Sequence, residues 1–317
     1  MREPSGDTTF TFTDPDGFEI FVRRWVPAQG LAPKAVVQIV HGAAEHSLRY
    51  ERFAKFLNAA GYVVYANDHR GHGRTAGSLD RAGWAGEDGW NGMVKDVYQL
   101  TEIIKEENPG LPVFMFAHSM GSLIAQQYIQ QWGGGLRGVV LCGSSGARPN
   151  LAEQLAAAEA EPRDKPSPSW GLRRPSSSQS SGGGQTGYEW LTRDQAEVQK
   201  YADDPWCGFA FTSGLVVDLL RGRLATWKPE NEARIPKTLP IFVISGDKDP
   251  AGGKNGENVK LLVDRYAALG LADLAFKLYP DARHELLNEI NRDEVHRDLL
   301  QWFDSHLSGV RPVQSGR

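Results

Sequence analysis

Five short, nearly uninterrupted apolar runs restrict the architecture of this chain more than any other feature: AVVQIV (35–40), YVVYA (62–66), PVFMFA (112–117), GVVLC (138–142) and PIFVIS (240–245). A strand with one wet face alternates apolar and polar residues. A continuous run means a strand covered on both faces. Helical stripes separate these runs. Tyr50, Phe53, Ala54, Leu57 and Ala60 form one, stopped by Gly61. Val94, Val97, Tyr98 and Leu100 to Ile104 form a second, ending before Pro109. Val259, Leu262, Val263 and Tyr266 form a third, stopped by Gly270. In the last stripe Val295, Leu299, Phe303 and Leu307 recur at every fourth position behind a start signal at Asn291 and Glu294. Strands alternating with helices predict an α/β fold with a mostly parallel, doubly wound sheet. Two threonine- and aromatic-rich runs, 8–13 and 18–26, flank Asp14, Pro15, Asp16 and Gly17 and predict an opening β-hairpin. LAFKLY (274–279) adds one more strand.

The rhythm breaks once, from 147 to 235. Residues 175–187, PSSSQSSGGGQTG, are of low complexity. Thr192 and Gln195 signal a helix start after them. Leu215, Val216, Leu219 and Leu220 then share one helical side within FAFTSGLVVDLL (209–220), an apolar surface that needs something to cover. The expected organisation is a core made of 1–146 and 236–317, with 147–235 inserted after the sixth strand as a helical cap over one end of the sheet.

The chemistry-bearing motif is A-H-S-M-G at 117–121. It stands between a buried strand and the helical run SLIAQQYIQQW. A nucleophile on a sharp strand-to-helix turn needs small flanking residues, because the turn lifts the serine clear of the sheet. Here Ala117 takes the first small position. A serine hydroxyl needs a base, and the base needs an orienting acid. His284 lies in the loop PDARHELLNE after a strand. Asp247 and Asp249 follow PIFVIS in GDKDP, where a strand end opens to the site edge. Asp249 is the expected acid and Asp247 a turn residue. The expected oxyanion donors are the backbone N–H groups of Met120, just after the serine, and of Ala43 in H-G-A-A-E-H (41–46). His41, Glu45, His46 and Arg49 superficially suggest a metal, but a loop has no register to point them together. A hydrogen-bond network holding the loop is expected there, with no metal and no cofactor. In NDHRGHG (67–73), Asp68 and Arg70 are expected to brace neighbouring loops.

Composition narrows the classes. Hydrophobic residues are 40% and charged residues 23% of the chain, enough for a substantial core. A net charge of −4 without a basic face argues against nucleic acid as a partner. Two cysteines do not make a disulfide framework, and both Cys142 and Cys207 are expected as buried thiols. MREPSGDTTF carries no apolar targeting segment, so the cytoplasm is the default compartment.

HGAAEHSLRY, NDHRGHGRT, AHSMGS, SGDKDP and YPDARHELLNE together resemble the monoacylglycerol lipase and lysophospholipase branch of the α/β-hydrolases, also labelled serine aminopeptidase-like, over about residues 8 to 308. The resemblance implies the α/β-hydrolase fold and a carboxylester hydrolase acting on monoacylglycerols, lysophospholipids or small esters. It implies a triad of Ser119, Asp249 and His284 and oxyanion donors at Ala43 and Met120. The departures are Ala117 and Ala44 in place of glycines, and the Ser/Gly-rich tract. Leu215, Leu219 and Leu220 are expected to line an acyl pocket, with the cap allowing transient contact with a membrane or micelle. The rival readings are a peptidase or amidase on the same triad and a ligand-binding protein that kept the fold without turnover. The sequence specifies no oligomeric state.

Overall fold

In the computed structural model, which describes residues 8–146, 150–168 and 186–307, the apolar runs are the inner strands of one eight-stranded sheet. The strands are β1 (Thr8–Thr13), β2 (Glu19–Trp25), β3 (Ala35–Val40), β4 (Tyr62–Asn67), β5 (Val113–His118), β6 (Gly138–Cys142), β7 (Ile241–Gly246) and β8 (Leu274–Tyr279). Their spatial order is β1-β2-β4-β3-β5-β6-β7-β8. The opening hairpin pairs antiparallel, and β2 runs antiparallel to β4. Every pairing from β4 through β8 is parallel.

The helices in chain order are α1 (Glu51–Ala59), α2 (Gly73–Ala76), α3 (Gly89–Glu107), α4 (Met120–Trp132), α5 (Leu151–Glu159), α6 (Gln195–Asp203), α7 (Ser213–Thr226), α8 (Pro229–Glu232), α9 (Glu257–Ala268) and α10 (Arg292–Ser305). Alternate strand residues divide between two apolar clusters, which is why the runs are continuous. Val37, Ile39, Val64, Phe114, Phe116 and Ile244 pack with Phe53 and Leu57 of α1 and Val295, Leu299 and Phe303 of α10. Val36, Val40, Met115, Ala117, Leu141 and Val243 pack with α3, α4 and α9 on the other face. The doubly wound sheet follows from these two dry faces.

Among the described residues, helices α5 to α8 lie between β6 and β7, where the rhythm of the sequence breaks. Most of the low-complexity tract 175–187 lies outside the described residues. Helix α7 packs against α3, α4 and α5. Two local expectations come out differently. Helix α6 is capped by Asp194, whose carboxylate accepts from the N–H groups of Ala196 and Glu197. Thr192, two residues earlier, instead accepts from Asp194 N–H and donates to the Asn288 carbonyl, tying the segment to the loop before α10. At α10 the capping box is replaced by a side-chain pair: Asn291 Nδ2 donates to Glu294 Oε2 at 3.1 Å, and Asn291 caps no backbone N–H.

Candidate active site

Ser119 sits where β5 turns into α4, with φ +53° and ψ −120°. This is a left-handed, strained conformation for a residue with a side chain. Gly121 makes the turn sterically feasible. A Cβ there would lie 2.2 Å from the Val40 carbonyl oxygen and 2.5 Å from that of His41, so α4 rests directly on the end of β3. Gly121→Ala is therefore expected to cost about 3 kcal/mol or more, since backbone cannot yield as a side chain can. A urea midpoint equal to wild type would contradict this. Ala117 needs no such freedom. It is an ordinary β5 residue, fully buried in the core, which explains why alanine serves where a glycine is usual.

The turn brings three of the expected residues together. His284 Nε2 lies 2.8 Å from Ser119 Oγ, and His284 Nδ1 lies 2.9 Å from Asp249 Oδ2. Asp249 is wholly buried and also accepts from Ala251 N–H at 2.8 Å. Asp247, partly exposed, faces Lys248 instead and makes no bond to His284. Burial works against the charged form of Asp249, but the neighbouring His284 and the hydrogen bonds it receives outweigh that and hold its carboxyl below the ordinary value. Burial likewise disfavours the imidazolium of His284, and Asp249 more than compensates, so His284 is raised above 6.5. A hydroxyl bonded to an imidazole that is itself bonded to a buried carboxylate can pass its proton to the ring as it attacks an electrophile.

The expected oxyanion donors lie on the two segments next to the serine. Met120 is the first residue of α4, and its N–H is one of the helix's orphan donors. In the loop after β3, Gly42 N–H donates to Glu45 Oε1 at 2.6 Å and Ala44 N–H to His72 Nε2 at 3.1 Å. The intervening Ala43 N–H makes no hydrogen bond among the described residues. A Cβ on Gly42 would stand 3.1 Å from Ser119 Cβ, so this loop lies against the serine. Ala44 has φ +49°, a conformation glycine adopts freely; the departure from glycine noted in the sequence is thus retained at the cost of some strain.

The loop residues with metal-like composition are tied into hydrogen bonds. His41 stacks on His69, with ring centroids 4.0 Å apart, and its Nε2 accepts from His69 N–H. Burial pushes His41 down to about 3 and His72 to about 4, keeping these rings neutral hydrogen-bonding struts. Glu45 accepts from Gly42, Tyr50 and Arg49. Asp68 accepts from Ser47 and Arg74, and Arg70 pairs with Asp14, Asp16 and Asp96, bracing the loops as expected.

Several neighbours were not legible as site residues. Arg49 forks onto both oxygens of Glu285, at 2.6 and 2.8 Å, and so joins the Ala43 loop to the loop carrying His284. The residue before the serine, His118, approaches the His284 carbonyl with Nε2 at 3.2 Å. Trp190 lies against the His284 ring at 5.0 Å, and Glu285 N–H donates to the Leu191 carbonyl at 2.7 Å. Glu285 directly follows His284 in the sequence and His118 precedes the serine, whereas nothing local marks Trp190. The hollow beside Ser119 is about 20 Å³, walled by Ala43, Trp190, Leu191, Tyr201 and His284. That is room for about one water molecule. Leu215, Leu219 and Leu220 are not among its walls. Each is 1% exposed, within the apolar cluster that also holds Trp90 and Met93 of α3. The same cluster reaches Ala44 and Met120 beside the serine. Cys142 is buried as expected, whereas Cys207 is only partly so. Among the described residues, no helix is long and apolar enough to cross a membrane.

Comparison with known proteins matches this arrangement to a family. The Hydrolase_4 family, described as serine aminopeptidase S33, matches residues 32–291. The monoacylglycerol lipase of Mycolicibacterium smegmatis is 31% identical, over 94% of this chain and 97% of its own. The human monoglyceride lipase is 29% identical, over 92% and 89%. Among solved structures, a thermostable carboxyl esterase from Bacillus coagulans in complex with glycerol superposes with a TM-score of 0.84 at 31% identity, covering 96% of this chain and 99% of that one. With the eight-stranded sheet and the serine at its turn, these matches make the chain an α/β-hydrolase of the Hydrolase_4 (serine aminopeptidase S33) family, a serine hydrolase.

Proposed function

We propose that the chain hydrolyses carboxylic esters of the monoacylglycerol, lysophospholipid or small-ester class through an acyl-enzyme. The observation that carries this reading is His284 held between Ser119 and Asp249 at 2.8 and 2.9 Å. Ser119 Oγ attacks the ester carbonyl as His284 Nε2 takes its proton. The oxyanion rests on the N–H groups of Ala43 and Met120. His284 returns the proton to the departing alcohol, then activates the water that releases the acid. Asp249 holds the ring in the tautomer with Nδ1 protonated and stabilises the imidazolium. The names of the lipase relatives and of the glycerol-bound esterase favour an acylglycerol ester. A panel of p-nitrophenyl esters, monoacylglycerols, lysophosphatidylcholine and an aminoacyl anilide tests this. Turnover of esters and not of the anilide is expected; the reverse would overturn it in favour of a peptidase.

The base makes a pH prediction. His284 must be neutral to accept the proton, and Asp249 raises its pKa. kcat/KM should fall in acid with a single apparent pKa at or above the ordinary histidine value of about 6.5. A rate flat down to about pH 4 in folded protein would contradict a histidine base.

Residues 147–235 act, in this reading, as a cap whose α7 face meets the acyl chain. Each methylene buried is worth about 0.8 kcal/mol, so selectivity should climb with chain length until the pocket fills. Leu219→Ala should then reduce kcat/KM on long esters much more than on acetate. Equal losses across the series would show that the α7 leucines support the fold and not the acyl chain.

A further inference from the structure

Among the described residues outside the triad, one group of side chains has the composition and closeness of a metal site. His46, Asp204 and Cys207 each offer one donor atom, and the three atoms lie within 4.8 Å of one another. His46 Nε2 and Asp204 Oδ2 are already 2.8 Å apart. Asp204-Pro205-Trp206-Cys207 is a tight turn. Asp204 Oδ1 accepts from Trp206 N–H at 2.8 Å, and Cys207 N–H donates to the Asp204 carbonyl at 3.0 Å. The turn leaves Oδ2 and the sulfur to face the same side. Two donors separated by two residues is the spacing of one half of a zinc knuckle. The third comes from His46, 158 residues away in sequence, so the group is assembled only by the fold.

We propose that His46, Asp204 and Cys207 form a binding site for a thiophilic divalent cation of the zinc class, and that occupancy locks the Ala43 loop to the segment between β6 and β7. Imidazole, carboxylate and thiolate together suit zinc and not magnesium. With metal–ligand bonds of about 2.0–2.3 Å, tetrahedral donors stand roughly 3.3–3.7 Å apart, so small side-chain rotations close the present spacing. Three protein donors leave a fourth position for water. No redox change occurs. The Cys207 S–H bond breaks as the sulfur–metal bond forms, and the proton leaves to solvent. His46 shifts its proton to Nδ1 so that Nε2 can ligate. The cation supplies the charge that removes the thiol proton.

The locking follows from what already joins the two segments. Ala44 carbonyl accepts from Tyr201 Oη–H at 2.9 Å and from Gly208 N–H at 3.0 Å. A metal on His46 and Cys207 would add a bond stronger than either between the same two pieces of chain. Both border the hollow beside Ser119.

The test titrates Co²⁺ and Zn²⁺ into the full chain, with Mg²⁺ as the control. Co²⁺ should produce the intense near-ultraviolet band of thiolate ligation with one equivalent per chain. Zn²⁺ should displace it and raise the melting temperature by about 2–5 °C at a hundredfold excess over its Kd. Cys207→Ser should abolish the band, and Asp204→Asn should weaken binding by about tenfold or more. Zn²⁺ should also slow p-nitrophenyl acetate turnover severalfold in wild type, reversibly on chelation, and leave Cys207→Ser unaffected. Absence of the cobalt band, or its survival in Cys207→Ser, would overturn the site. Saturable binding with unchanged turnover would overturn the locking. Because cobalt binding is read without catalysis, it stands or falls apart from the proposed ester hydrolysis.

Discussion

Ser119→Ala is expected to lower ester turnover by a factor on the order of 10⁶ while leaving the fold intact. Ser119 Oγ is the one atom that both accepts the geometry of attack and hands its proton to His284, 2.8 Å away. No other described hydrogen bond is made by that hydroxyl, so its removal strips no structural support. The strained turn persists because it is fixed by Gly121 against the end of β3 and by the Ser119 N–H bond to the Cys142 carbonyl. Residual catalysis should reflect substrate binding and the two backbone donors alone. The check is kcat on p-nitrophenyl acetate beside circular dichroism of the same preparation. A folded variant that keeps most of its activity would remove Ser119 from the mechanism.

Asp249→Asn comes next in size, with kcat expected to fall on the order of 10⁴. The carboxylate does two jobs that an amide cannot. It accepts the Nδ1 proton of His284, which fixes the tautomer, and its charge stabilises the imidazolium formed as Ser119 attacks. An asparagine can present its NH₂ to Nδ1 and so favour the wrong tautomer. Burial sharpens the effect, since Asp249 is wholly enclosed and no water can stand in for the lost charge. Asp247→Asn should do far less, because Asp247 faces Lys248 and not the histidine. A crippled Asp247→Asn beside a nearly normal Asp249→Asn would invert the assignment within GDKDP.

The parts of this molecule that could be read in advance are those set by periodicity and by chain-local chemistry. Gln38 interrupts the β3 run without spoiling it, because its amide donates to the Val97 carbonyl inside the core. The strand ends that carry Ser119, Asp249 and His284 follow from the parallel sheet, so the order of the motifs along the chain already placed them at one edge. What could not be read is contact between distant segments. Asp194 takes the cap of α6 because Thr192 is drawn away by the Asn288 carbonyl, 96 residues on. The leucines of α7 show a helical face, but a face in the sequence does not say what it packs on; α7 lies against α3, α4 and α5, which come from distant parts of the chain. Arg49 pairing with Glu285 and Trp190 covering His284 likewise arise from loops that approach only after folding. Cys207, expected as a buried thiol of the cap, is partly exposed, and its place beside His46 depends on a loop 158 residues from Asp204.

The acyl-enzyme reading requires Ser119 to become covalently attached during turnover. Its most direct test is to treat the folded protein with a fluorophosphonate and locate the adduct by peptide mass spectrometry. A single adduct on Ser119 is expected, formed in step with the loss of ester hydrolysis and absent from Ser119→Ala. An adduct confined to a different serine, or full inhibition with Ser119 unmodified, would contradict it.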